Sequence, residues 1–284
     1  MIGWEEALET VAQNLRFIGD RQSVAQPLLD SQLAEIARVM ASVTDERSDW
    51  DEKRQIWHDT LQKLPVTAQR SALARQYHLA LSARYRVEIL PRSMSEIESI
   101  CYLRNRGSDG AFDRMTAHLP NVRAVYAAGH EEALEHCYDE YSDACILPYS
   151  DPERGMHMGF RTMIARYGLK ITSLVRVENR DGVAMDYVLL RRDAALTDPR
   201  QAQLAVTLPV HESGVLAEAL SAAVDCELAV QDVTKLPEQF SSTPSYDLHF
   251  TGTGKAIEAY LFYLALNHPR FDLLGVYQKE REMI

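Results

Sequence analysis

The hydrophobic pattern of this chain changes near residue 85, and that change limits the folds it can adopt. Residues 1–85 carry apolar side chains at helical spacing and contain no convincing strand. Residues 86–196 alternate short apolar runs with amphipathic segments, the pattern of strands alternating with helices. After a short polar linker, residues 201–284 repeat that alternation. The sequence therefore predicts a multidomain protein with an all-α N-terminal part, an α/β middle part and a separate C-terminal α+β unit.

The stretch from Asp143 to Gly155 lies near the middle of the α/β part and changes character halfway along. Its apolar centre predicts a buried strand that stops at Pro148, where a ladder N–H is lost. The turn formers that follow lead into an amphipathic pattern from Met156, which predicts a helix closed by Gly168.

Ligands in open α/β sheets bind where strand carboxyl ends meet helix amino ends. The segment from Ser150 to Gly155, which includes Asp151, is therefore a candidate ligand-binding loop. The alternative is an ordinary connection between a strand and a helix.

The rest of the α/β part predicts further elements. Ser93 or Ser95 is a candidate cap for a helix over residues 96–104. Residues 170–177 and 183–191 predict two strands that form a hairpin.

The last 84 residues predict the order strand, helix, strand, strand, helix, strand. This βαββαβ order is that of a ferredoxin-like module. Such modules often pair edge to edge, so a homodimer with a small-molecule ligand in the seam is expected.

Charge and cysteine content exclude several classes of function. A net charge of −11 argues against nucleic acid as a partner, because phosphate binding needs a basic face. No apolar run approaches the roughly twenty residues of a membrane helix, and the chain starts with acidic residues, so a cytoplasmic protein is expected. The four cysteines lack metal-ligand spacing, and we expect neither a metal nor a cofactor.

The C-terminal module resembles the ACT domain that ends prephenate dehydratases. Ser213-Gly-Val-Leu216 is similar to the family's Gly-Ala-Leu helix start, and Leu274-Gly-Val-Tyr277 to its Leu-Gly-Ser-Tyr. Thr234-Lys-Leu-Pro237 keeps only the proline of the family's Glu-Ser-Arg-Pro. The resemblance implies that an aromatic amino acid binds at a loop made of Ser213, Gly214, Val215 and Leu216. Gly214 could instead serve packing alone.

The middle part resembles the prephenate dehydratase domain itself. Pro148 and Gly155 keep the spacing of the family's Pro-Ile-Glu-Asn-Ser-x-x-Gly, while the polar residues between them differ. The family's catalytic Thr-Arg-Phe falls on Met185-Asp-Tyr187. Met185 cannot donate a proton and Asp186 would repel a dianionic substrate, so dehydratase turnover is expected to be lost. The α/β part is also short, which implies that one lobe of the family is missing.

The N-terminal part resembles the chorismate mutase domain of the bifunctional mutase–dehydratase. Arg16, Asp51, Arg54 and Ser82 match the mutase pattern, whereas Gln32, Gln55 and Arg86 replace its other polar groups. The resemblance implies a reduced mutase-like pocket. Its candidate residues are Arg16, Arg54, Gln55 and Arg86.

These resemblances follow one another in the order of the bifunctional enzyme. They imply a diverged relative that binds a chorismate- or prephenate-like acid, or an aromatic amino acid, in a regulatory role. Two alternatives stay open. One is an active mutase or prephenate-converting lyase with a rearranged site, and the other is an interaction protein that has lost every ligand.

Overall fold

The structure is a computed structural model that describes Glu9 and residues 26–44, 49–63, 70–84, 89–91, 93–119, 121–151, 155–156, 158–178, 184–196, 200–237 and 243–279. Contacts divide the chain into two compact units. The helical unit comprises Met1–Ile89, Leu208–Val230 and Lys255–Phe271. The sheet unit comprises Leu90–Thr207, Gln231–Gly254 and Asp272–Ile284. The division into three domains, 1–85, 86–196 and 201–284, stays a prediction from the hydrophobic pattern and the family resemblance.

The described elements follow the chain in this order: α1 Gln26–Val43, α2 Trp50–Lys63, α3 Arg70–Arg84, β1 Ser99–Leu103, α4 Arg106–Thr116, β2 Arg123–Ala127, α5 His130–Tyr138, β3 Ala144–Asp151, β4 Gly155–Met156, α6 Met158–Arg166, β5 Lys170–Glu178, β6 Ala184–Arg191, β7 Ala202–Pro209, α7 Val215–Asp225, β8 Ala229–Lys235, β9 Ser245–Gly252, α8 Gly254–Asn267 and β10 Asp272–Lys279. The last six elements have the predicted βαββαβ order.

Apolar stripes explain why the helical unit packs as it does. In α1, Leu33, Ile36, Ala37 and Met40 recur at helical spacing and are all buried. The aromatic ring of Phe262 in α8 packs within 5.6 Å of the rings of Trp50, Tyr77 and His78. Trp57 Nε1 donates a hydrogen bond of 3.0 Å to Asn267 Oδ1. The N-terminal helices and α8 therefore share one core.

The ten described strands belong to one mixed sheet. Its order is β2-β1-β3-β6-β5-β10-β7-β9-β8, with β4 paired to β3. Strand β1 runs parallel to β2 and β3, whereas β6 is antiparallel to both β3 and β5, which confirms the predicted hairpin pairing. The strands of the middle and C-terminal segments meet where β5 pairs with β10.

Gly275 explains how β5 and β10 come together. It lies opposite Ile171 in the ladder, and a Cβ atom at this position would overlap the Ile171 carbonyl oxygen. Only glycine allows this close approach. The Leu274-Gly-Val-Tyr277 motif therefore has a structural role in joining the sheet.

The helix expected over residues 96–104 is wrong, because Ser99–Leu103 forms strand β1. Ser99 to Tyr102 are buried between two neighbouring strands. A strand covered on both faces has a continuous apolar run instead of alternating apolar and polar residues. The spacing of its apolar residues therefore does not distinguish it from a buried helix. The serines expected to cap a helix precede a strand instead.

The expected end of the central strand is also wrong. Strand β3 continues through Pro148 to Asp151, and its register against β6 shifts between Pro148 and Ser150. A register irregularity is a place where a sheet tolerates proline. The short strand β4 then pairs back on β3 before α6 begins at Met158, so the candidate loop does not lead directly into a helix. Gly168 follows α6 with a φ of 64°, consistent with the predicted helix end.

Candidate functional site

Ser150 in β3 and Asp186 in β6 lie opposite each other at the end of the central strand pair. The Ser150 hydroxyl donates a 2.8 Å hydrogen bond to Asp186 Oδ2. Arg176 on β5, the register partner of Asp186 on its other side, donates from Nε to Asp186 Oδ1 at 2.9 Å. We call Ser150, Arg176 and Asp186 the strand-end cluster.

The strand-end cluster occupies the position that the resemblance assigned to dehydratase catalysis. The Asp186 carboxylate there is almost buried and its charge is balanced by Arg176, so this guanidinium is already engaged by a protein carboxylate. Asp151 and Gly155, the other residues predicted for this loop, are register partners in the β3–β4 pair.

A cavity lies in the helical unit, where β7 leads into α7. Its volume is about 630 Å³. Its apolar walls come from α2, β7, α7 and the turn after α8, through Leu61, Leu208, Val215 and Phe271. We call this cavity the helix-start pocket, and its size is within the range of small-molecule sites.

Charged and imidazole groups surround the same pocket. Arg70 Nη1 contacts Glu218 Oε1 at 3.2 Å, and the side chains are 31% and 36% exposed. Tyr263 Oη donates to the same oxygen at 3.0 Å. Glu212 and Arg270 add a second acid and a second cation.

Three histidines, His58, His211 and His268, also line the pocket. The Nε2 atom of His268 is buried and has no hydrogen-bond partner among the residues that the structure describes. Burial lowers the pKa of His268, while the nearby Glu218 opposes that shift. The His268 ring is therefore neutral near pH 7 and can accept or donate one hydrogen bond through Nε2.

Gly214 precedes α7 as its N-cap and has a φ of 95°, in the left-handed region. A Cβ atom there would meet nothing within 4 Å, so the backbone conformation rather than close packing favours glycine. Of the four residues predicted for this loop, Val215 lines the pocket; Ser213, Gly214 and Leu216 flank it in sequence.

The structure does not bring the described members of the mutase-like set together. Arg54 pairs with Asp51, and Gln55 donates a 2.8 Å hydrogen bond to Asp59. Consecutive helical residues point about 100° apart, so Arg54 and Gln55 face different directions. Arg16 and Arg86 lie outside the described residues.

Sequence reasoning missed Arg70, Glu218 and Arg270, because no local motif marks them. They converge only through the packing of α3 on α7 and of α2 against the end of α8. The one available signal was a polar residue directly after a helical pattern. It marks His268, which follows α8, and none of Arg70, Glu218 and Arg270.

The described part of the chain contains no group of three or more His, Cys, Asp or Glu side chains arranged to hold a metal ion. Among the described helices, none combines the length and apolar character needed to cross a membrane.

Comparisons with known proteins give a likeness of fold. Neither a protein-family model nor a curated protein sequence matches the chain. The structure of prephenate dehydratase from Streptococcus mutans aligns with a TM-score of 0.52 and 17% identity, covering 64% of this chain and 99% of that one. The chain has a prephenate dehydratase-like fold.

Two further solved structures give weaker alignments, each at 14% identity and a TM-score of 0.48. One is GqqA, described as a novel type of quorum-quenching acylase, with 64% of this chain and 96% of that chain covered. The other is a prephenate dehydratase from Arthrobacter aurescens in complex with L-Phe, with 63% and 89% covered.

Proposed function

We propose that this chain binds an aromatic amino acid in the helix-start pocket and acts in the regulation of aromatic amino-acid metabolism. The observation that carries the proposal is the position of the pocket. A cavity of about 630 Å³ forms at the β7–α7 loop, where the ACT-like motif predicts an amino-acid site. The βαββαβ element order of the C-terminal segment supports the same ACT-like assignment.

The charges of the pocket favour a zwitterion. Its two arginines, Arg70 and Arg270, are matched by two glutamates, Glu212 and Glu218. A dicarboxylate such as chorismate or prephenate would meet both glutamates with like charge, whereas an amino acid offers an ammonium group to the acids and a carboxylate to the cations. The apolar walls can receive an aromatic side chain, because burial of such a ring is favourable.

The strand-end cluster supports a binding role without dehydratase turnover. Dehydration and decarboxylation of prephenate need a cation for the substrate carboxylate and a donor for the departing hydroxyl. Here Arg176 and the Ser150 hydroxyl both point to Asp186, which offers the substrate a negative charge instead.

Titration calorimetry with phenylalanine, tyrosine, prephenate and chorismate tests the proposal, followed by turnover assays with the last two. We expect binding of the amino acids and no turnover. The variant Val215→Trp fills the pocket and should weaken amino-acid binding at least tenfold. Val224→Trp is the matched control, because Val224 lies on the same helix, is 61% exposed and does not line the pocket.

Each other outcome contradicts the proposal in a distinct way. Conversion of prephenate or chorismate would favour the active-enzyme alternative with a rearranged site. An absence of heat with all four compounds would favour an interaction protein without a ligand. If Val215→Trp bound the amino acids as tightly as Val224→Trp does, the ligand site would lie outside the helix-start pocket.

The mutase-like assignment of the N-terminal helices and the homodimer belong to this proposal as well. Three consecutive described helices, α1 to α3, support the first, and light scattering of the purified chain measures the second. A strictly monomeric protein would contradict the homodimer but not amino-acid binding in the helix-start pocket.

A further inference from the structure

The helix-start pocket has two walls that come from opposite ends of the chain. The C-terminal wall is formed by β7, the loop after it, α7 and the turn after α8. The N-terminal wall consists of His58, Leu61 and Gln62 on α2 and of Arg70 at the start of α3. Arg70 lies 148 positions before Glu218, its ion-pair partner on the C-terminal wall. A single copy of the chain therefore supplies both walls.

Buried aromatic side chains hold the N-terminal wall in place. Trp57, one helical turn before Leu61 on α2, is fully buried, and its Nε1 donates a 3.0 Å hydrogen bond to Asn267 Oδ1 at the end of α8. On α3, the buried ring of Tyr77 packs edge-on against the ring of Phe262 in α8, with 5.5 Å between the centroids. Burial of aromatic surface is favourable and needs no ligand. The N-terminal wall is therefore part of the folded helical unit.

The contacts between α3 and α7 are of a different kind. Three polar pairs join α3 to α7 or to the residues directly after it: Arg70–Glu218, Ser71–Asp225 and Arg75–Glu227. The four side chains of the two ion pairs are 31–69% exposed. Water and salt screen such exposed pairs, so they hold the two helices together only weakly. A ligand that contacts both walls would therefore strengthen the docking of α3 on α7.

The charges of the two walls suit different parts of an amino acid. Both glutamates of the pocket, Glu212 and Glu218, belong to the C-terminal wall, so an ammonium group is attracted there. Arg70 on the N-terminal wall, like Arg270 on the C-terminal wall, can receive the carboxylate. Leu61 gives the N-terminal wall apolar surface as well. An amino acid that fills the pocket therefore contacts both walls.

We propose that the bound amino acid bridges the two walls within one chain, so that α2 and α3 are the elements that respond to it. This inference rests on the proposed function and adds the regulated element to it: the ligand stabilises the docking of α2 and α3 on α7. The N-terminal wall takes the place of a second copy, whereas the sequence predicts a ligand in the seam between two copies.

Titration calorimetry with phenylalanine measures the contribution of the N-terminal wall. Gln62→Trp places an indole ring in the pocket from α2 and should weaken phenylalanine binding at least tenfold. Gln55→Trp is the matched control, because Gln55 is also exposed on α2 and does not line the pocket, so this variant should bind like the unmodified chain. Equal binding by the two variants would overturn the bridge.

Co-expression of Gln62→Trp with Val215→Trp tests whether one chain closes the site. If each chain builds its own pocket, every chain in the mixture carries one damaged wall and phenylalanine binding should not recover. If a second copy closes the site, each mixed dimer regains one pocket with two intact walls. Recovered binding would therefore overturn the inference.

Hydrogen–deuterium exchange of the unmodified full chain gives a readout that does not depend on the folding of a variant. Saturating phenylalanine should slow exchange in residues 55–63 of α2 and 70–77 of α3. Protection limited to residues 211–218 would contradict the bridge and leave amino-acid binding in place. An absence of phenylalanine binding in calorimetry would instead contradict the proposed function, and the bridge with it.

Discussion

Two arginine–carboxylate pairs show how the sheet unit and the helical unit differ. Arg161–Asp247 in the sheet unit is almost inaccessible, whereas Arg70–Glu218 in the helical unit lines a cavity and is about one-third exposed. The same chemistry therefore has different consequences. Breaking the buried pair leaves a charge in a low-dielectric interior, while breaking the exposed pair leaves two charges that water can solvate. Loss of one partner is therefore expected to destabilise the fold more in the first pair than in the second.

The largest expected effect comes from removing one member of the buried pair. Asp247→Ala leaves the Arg161 guanidinium without its counter-ion, and such losses typically cost about 3–5 kcal/mol. Urea denaturation should show this decrease in the free energy of unfolding. Arg70→Ala is the counterpart in the helical unit; it leaves the Tyr263–Glu218 hydrogen bond in place and should cost no more than about 1 kcal/mol. Equal costs for the two variants would break the comparison.

A second test concerns the close strand approach in the sheet unit. Gly275→Val places a branched side chain against the Ile171 backbone, and overpacking of this kind costs about 1–3 kcal/mol or more. Gly159→Ala is the control, because a Cβ atom there meets nothing within 4 Å and α6 should gain about 0.5–1 kcal/mol from the helix former. Chemical denaturation measures both, and a neutral Gly275→Val would contradict the role assigned to the motif.

Two histidines, one in each unit, should make the free energy of unfolding depend on pH in the acid range. Burial lowers the pKa of His249 in the sheet unit and of His268 in the pocket, so the folded chain binds fewer protons than the unfolded chain just below pH 6.5, the ordinary value. The free energy of unfolding should therefore fall as pH drops below about 6.5 and level off below the native pKa values.

The more deeply buried His249 should account for more of that loss. His249→Gln should flatten the dependence of stability on pH more than His268→Gln does, as measured by urea denaturation between pH 7 and 5. A free energy of unfolding that increases as the pH falls from 7 to 5 would show that the histidines are charged in the folded state.

The smallest effect on stability is expected at the exposed pair, where the effect on binding is expected to be larger. Arg70→Gln should change the free energy of unfolding by less than about 1 kcal/mol and weaken phenylalanine binding about tenfold, because it removes a cation from the pocket. Arg75→Gln is the matched control: Arg75 lies on the same helix, pairs with Glu227 at 3.0 Å and does not line the pocket. Calorimetry that finds both variants equally affected would contradict a direct role for Arg70.

The sequence predicted those elements whose pattern is local. The six C-terminal elements and the β5–β6 pair follow from alternation and helical spacing, because one face of each is apolar. Strand β1 was missed since its burial on both faces removes the alternation, and the continuation of β3 through Pro148 depends on a register shift against β6. Both are set by neighbouring strands rather than by the segment itself.

The candidate pocket could be predicted only in part. The ACT-like motif around Gly214 located the loop, and Val215 does line the cavity. The other walls depend on packing between segments far apart in sequence, of which the hydrogen bond between Trp57 and Asn267 is an example. No local pattern encodes which helices will pack on that loop.

Hydrogen–deuterium exchange of the full chain, with and without saturating phenylalanine, tests the central claim most directly. Binding in the helix-start pocket should slow exchange in residues 211–218 and 267–271 and leave the strand-end segments 145–151 and 184–190 unchanged. Protection confined to the strand-end segments, or no protection in either region, would contradict the account.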